Sequence, residues 1–111
     1  MENQPSSYES KSNCSDWSAS HDHMPPGPKN LYVSGKCKFP TSGYSVELKP
    51  ADPQGINEKI YILNKIVHEP NGPVTQVETV VDVRYEEQTE TEYDQVQIEP
   101  DHVLIDVVHT Q

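Results

Sequence analysis

The chain has 111 residues, with 18 acidic and 8 basic side chains and a formal charge of −10. That length holds one small domain, the charge disfavours nucleic-acid backbones and anionic membranes as partners, and no run of 18 apolar residues offers a membrane-spanning helix. Val and Ile together number 18 against 4 Leu and 2 Ala, and 10 prolines interrupt the chain, which excludes a helical bundle and favours short strands.

Residues 1–15 are rich in Ser, Asn, Gln and Glu and read as a disordered tail. Hydrophobic residues are 6 of the first 30 but 30 of the 79 in positions 31–109, so the core begins after the tail. Trp17, Ala19, His21 and His23 share one parity, with Ser18, Ser20 and Asp22 opposite, as in a first strand. Met24-Pro25-Pro26-Gly27-Pro28 is a polyproline-like linker between that strand and the rest. Leu31, Val33, Cys37 and Phe39 then alternate with Ser34, Lys36 and Lys38. A turn at Pro40-Thr41-Ser42-Gly43 leads to Tyr44, Val46 and Leu48, predicted as the second half of a hairpin with the preceding strand.

Pro50 to Asn57 is a loop, and Lys59 to His68, apolar on both faces, reads as a central strand. Glu69-Pro70-Asn71-Gly72-Pro73 is the strongest turn signal. Val77 to Tyr85 alternates with one wet face, and an acidic loop follows from Glu86 to Glu92. Tyr93 to Ile98 and His102 to His109 form a hairpin around Glu99-Pro100-Asp101, with Val103, Ile105 and Val107 on one face. Six to seven short strands predict an all-β fold, an antiparallel β-sandwich that is loosely immunoglobulin-like, over residues 16–111.

The segments GKCKFPTSGYSVEL (Gly35 to Leu48), PQGIN (Pro53 to Asn57) and VVDVRYE (Val80 to Glu86) resemble a family of small uncharacterised bacterial proteins, across most of Trp17 to His109. The resemblance implies a bacterial origin and a single compact domain, and it implies no activity. The N-terminus has neither a basic nor an apolar signal region, so the expected compartment is the cytoplasm, where Cys14 and Cys37 stay reduced. Paired, they would close a loop of about 24 residues and contribute about 3 kcal/mol. The apolar parity of Cys37 favours a free thiol packed in the core, with Cys14 in or beside the tail.

Cys14, His21 and His23 are the candidate metal ligands, because thiolate and imidazole suit zinc and soft transition metals and His21 and His23 point the same way from a strand. All the formal charge of −10 falls in residues 69–111, which carry 11 acids and only Arg84. Glu86, Glu87, Glu90, Glu92 and Asp94 therefore make a candidate surface for a basic protein partner. Glu90, Glu92 and Asp94 lack the turn that wraps a calcium loop and read as protection of an outer strand. His68, His102 and His109 read as surface residues, and Trp17 and Tyr44 as core. No nucleophile motif or phosphate-cradling loop occurs, so neither catalysis nor a cofactor is expected. The sequence thus points to a protein-binding module with an acidic face. The alternatives are a metal-binding protein and an acidic mimic of nucleic acid, and an open sheet edge could pair two copies.

Overall fold

A computed structural model describes residues 13–110 as seven strands: β1 (Asn13–Asp22), β2 (Asn30–Phe39), β3 (Ser45–Pro50), β4 (Ile60–His68), β5 (Thr79–Gln88), β6 (Gln95–Glu99) and β7 (Val103–Thr110). Period-two alternation sets the buried face of each. Along β2, Leu31, Val33, Cys37 and Phe39 are buried while Tyr32, Lys36 and Lys38 face solvent. Leu48, Tyr61, Leu63, Val83, Val96, Ile98, Ile105 and Val107 meet them from the other strands, giving one apolar core. Among the described residues no helix is long and apolar enough to cross a membrane.

The strands form one sheet in the order β3-β4-β6-β7-β1-β2-β5. Its end strands, β3 and β5, also contact each other, so the sheet curls into a nearly closed barrel. The pairing is mixed where the sequence pointed to antiparallel strands throughout: β1 runs parallel to β7, and β4 parallel to β6. The cause lies in β7. Its first half, Val103 to Asp106, completes the predicted hairpin with β6, and its second half, Val107 to Thr110, lies beside β1. The central position expected for β4 holds, with β3 on one side and β6 on the other.

Other expectations change. The predicted hairpin of β2 with β3 does not form, because β2 pairs with β1 and β5 while β3 pairs with β4. The Pro40 to Gly43 segment carries the chain between the two halves of the barrel instead. There the Ser42 N–H donates to the Thr75 carbonyl at 3.1 Å, and the Thr75 N–H donates to Ser42 Oγ at 2.9 Å. Gly43 sits at φ +94 with Pro70 close above it, a conformation and a space suited to glycine. The proline-rich Met24 to Pro28 segment closes a hairpin between β1 and β2, whose ends pair Asp22 with Asn30. Residues 1–12 of the expected tail lie outside the described residues, but Asn13, Cys14 and Ser15 are strand. β5 runs on through Glu86 to Gln88, where a loop was expected.

β1 contains a bulge between Ser15 and Ser18, with Asp16 at φ 58. Ser15 pairs with Lys36 and Ser18 with Ser34, so Asp16 and Trp17 together oppose Gly35. The extra residue exchanges inward and outward parity: Cys14 comes opposite the inward-facing Cys37, while beyond the bulge Ala19 and His21 are the buried residues. The Trp17 ring lies across Gly35, where an added Cβ would come within 2.4 Å of it. Gly35→Ala is therefore expected to destabilise the domain by about 1–3 kcal/mol, the usual cost of overpacking. Urea unfolding followed by Trp17 fluorescence measures it, and an unchanged midpoint would show that the ring is not held against Gly35.

Candidate metal centre

The parallel register of β1 and β7 sets His21 directly beside His109, and the period of two places His23 on the same side of β1 as His21. The His23 N–H donates to the Thr110 carbonyl at 2.8 Å, which extends the β1–β7 seam past the end of the strand. The three rings meet edge to face or tilted, with centroids 4.2 Å apart for His21 and His23, 5.1 Å for His23 and His109, and 5.7 Å for His21 and His109. One ring nitrogen from each lies within 4.8 Å of the other two. Burial grades across the group: His21 is fully buried, the His23 side chain is 9% exposed, and His109 opens to solvent.

Backbone carbonyls fix the proton positions. His21 Nε2 lies 2.9 Å from the Thr89 carbonyl oxygen, and His109 Nε2 lies 3.0 Å from that of Tyr93. A carbonyl only accepts, so both Nε2 atoms carry hydrogen and donate, and in the neutral rings both Nδ1 atoms keep their lone pairs. His21 Nδ1 is buried and has no hydrogen-bond partner among the described residues. His109 Nδ1 accepts from His23 Nε2–H at 2.9 Å, and His23 Nδ1 faces Glu92 Oε2 at 3.7 Å. Burial, followed by the neighbouring His21, holds the His23 pKa below the ordinary imidazole value against the pull of Glu92, which favours the neutral ring that a metal requires.

A short segment supplies all of this outer support. Residues 89–94 provide the Thr89 and Tyr93 carbonyls and the Glu92 carboxylate, and the segment is tied at both ends. The Thr89 N–H donates to the Lys29 carbonyl at 3.0 Å, and the Asp94 carbonyl accepts from the Val107 N–H at 2.9 Å. Tyr93 stacks on Tyr61 with ring centroids 4.6 Å apart. The hydroxyls of Tyr61 and Tyr85 both donate to Glu87 Oε1 at 2.5 Å.

Of the three ligands expected from sequence, His21 and His23 come together and Cys14 does not join them. Its sulfur is bonded to Cys37, in place of the reduced pair expected from sequence, and Cys14 lies seven residues along β1 from His21, on the order of 20 Å away. His109 takes the third place. The sequence did carry its signal, since His109 shares the parity of Val103, Ile105 and Val107, but the strand with which it pairs was not legible. The candidate acidic surface is divided. Glu86 is exposed on β5 and Glu87 turns in to the tyrosines, while Glu90 and Glu92 lie 3.7 and 3.6 Å from Lys29 and Asp94 is exposed. Comparison with known proteins finds no matching protein family, no similar curated protein and no matching solved structure.

Burial, then the Glu87 hydrogen bond, pushes Tyr85 up to about 12, and the same causes raise Tyr61 further. Burial also raises Tyr93. A phenol that holds its proton more tightly folded than unfolded contributes stability that is complete below pH 10 and is lost as pH rises toward 12. Phenolate absorbance should therefore show a late phase near pH 12, accompanied by a falling Tm and missing in Tyr85→Phe. A titration complete by pH 11 would contradict this.

Proposed function

We propose that this protein binds one divalent transition-metal ion through His21 Nδ1, His23 Nε2 and His109 Nδ1, on an all-β scaffold whose two halves resemble the layers of a sandwich joined through β7. The observation that carries the reading is the buried Nδ1 of His21, unpartnered among the described residues, beside a second Nδ1 freed of its proton in the same way by a backbone carbonyl. A buried polar atom without a partner costs about 1–3 kcal/mol, and a metal–nitrogen bond removes that cost.

The chemistry of the donors narrows the ion. Three neutral imidazoles without a thiolate suit Zn²⁺, Cu²⁺ or Ni²⁺, whereas Ca²⁺ and Mg²⁺ require a cage of oxygens. Binding moves a single proton within the site: His23 gives up the hydrogen on Nε2, and its Nδ1 takes one that faces Glu92. Each ligand ring then has an oxygen acceptor on its far side, two carbonyls and one carboxylate, which is the usual outer support of metal-bound histidine. Three protein ligands leave a further coordination position for water or a small anion.

Localisation bears on the pair of cysteines. Structural disulfides persist in oxidising compartments and are transient in the cytoplasm, so the cytoplasmic placement read from the sequence carries with it a disulfide open to exchange.

Calorimetry with Zn²⁺ on untagged protein stripped by a chelator tests the metal reading. One ion per chain should bind, with at least about tenfold weaker binding in His109→Ala, an exposed position whose loss leaves the core packing intact. Ca²⁺ should give no heat. Absence of Zn²⁺ binding, or equal binding by His109→Ala, would overturn the proposal.

A further inference from the structure

At the opposite end of β1 a lysine points into the barrel. Lys65 shares the inward parity of Tyr61 and Leu63 on β4, and its side chain is only 5% exposed. An inward ammonium requires a partner, and Asp101 Oδ2 supplies one at 2.6 Å. The same Nζ lies 3.3 Å from Cys14 Sγ, one sulfur of the Cys14–Cys37 disulfide. A disulfide sulfur is a weak acceptor, so this contact contributes little while the bond is closed. If Cys14 becomes a thiolate, the same contact becomes a charge-assisted hydrogen bond. The ammonium therefore interacts more strongly with the reduced state than with the oxidised one.

We propose that Cys14, Cys37 and Lys65 form a reversible thiol–disulfide exchange site for low-molecular-weight thiols, with Cys14 as the reactive sulfur. Exposure selects Cys14: it is half-buried between exposed Asn13 and Ser15, whereas Cys37 is fully buried. A thiolate RS⁻ attacks Cys14 Sγ, the Cys14–Cys37 bond breaks, and Cys37 leaves with the electron pair and takes a proton from solvent. A second RS⁻ attacks the R sulfur of the mixed disulfide. RSSR departs, and Cys14 is released as a thiolate against the Lys65 ammonium. Two thiols are oxidised and the protein disulfide gains two electrons.

The surrounding charges act in both directions. Asp101, which shares the ammonium, opposes a thiolate, while Lys36 and Lys38 on the exposed face of β2 favour it through solvent. Lys65 is the group in contact with the sulfur and decides the balance. A thiolate stabilised in this way makes the disulfide more oxidising and the reduced thiol reactive near neutral pH.

The test begins with the wild-type protein, reduced and then alkylated with iodoacetamide across a pH series, with peptide mass spectrometry following Cys14. The alkylation midpoint should lie at least about one unit below the ordinary thiol value of 8.5. A midpoint at or above 8.5 overturns the proposal, whether the ammonium fails to act or the reduced chain opens. Equilibration with glutathione buffers adds the second arm. Lys65→Met should shift the balance about tenfold toward the disulfide and raise the Cys14 midpoint, while Lys65→Arg keeps both near wild type. Identical equilibria in wild type and Lys65→Met would overturn it as well.

Discussion

β7 changes partner halfway along its length, and that exchange makes one sheet out of two. Val103 to Asp106 hydrogen-bonds to β6, and Val107 to Thr110 then continues beside β1. Among the described strands, the second half of β7 is what joins the ladder of β3, β4 and β6 to that of β1, β2 and β5. The seam is only four residue pairs long, from Ala19 with Val107 to Asp22 with Thr110. Parallel pairing is slightly weaker per residue than antiparallel, so so short a seam gains from any added tie. The three histidines sit at its end, two from β1 and its continuation and one from β7. A metal held by them would bridge the two strands where the ladder stops, coupling ion binding to the closure of the barrel.

The two ends of β1 thus carry different chemistry. At one end a disulfide joins β1 to β2, with Lys65 of β4 against its sulfur. At the other the imidazoles join β1 to β7, with the 89–94 segment supplying their outer oxygens. The bulge at Asp16 and Trp17 makes both arrangements compatible, because it lets an even-numbered residue, Cys14, and odd-numbered residues, Ala19 and His21, all face inward along one strand. Gly35 in turn makes room for the Trp17 ring that the bulge directs across β2.

Much of the strand content was legible because period-two burial is written directly into β2, β5, β6 and β7, and the Glu99-Pro100-Asp101 turn marks a local hairpin. What was hidden depends on pairing between residues distant in sequence. Ser42 and Thr75 lead the chain away from a β2–β3 hairpin, and nothing local to the Pro40 to Gly43 turn announces that contact. The same limit concealed the site. His21 and His23 were recognisable as candidate ligands, but His109 joins them only through a parallel pairing 88 residues away. Cys14 is misplaced by the sequence pattern because the polar residues 1–15 read as a tail, whereas Asn13 to Ser15 belong to β1 and set Cys14 opposite Cys37. Lys65 escaped notice since an inward lysine is uncommon, and its partner Asp101 lies in the turn before another strand.

The central claim is that the Thr89 and Tyr93 carbonyls hold His21 and His109 with hydrogen on Nε2 and free lone pairs on Nδ1, ready for a metal. Long-range proton–nitrogen correlation spectra of ¹⁵N-histidine-labelled protein report the tautomer of each ring directly. Metal-free protein should show Nε2–H tautomers for both residues, with Zn²⁺ shifting their Nδ1 resonances and leaving Nε2–H in place. Hydrogen on Nδ1 of either ring, or Nδ1 resonances indifferent to Zn²⁺, would contradict it.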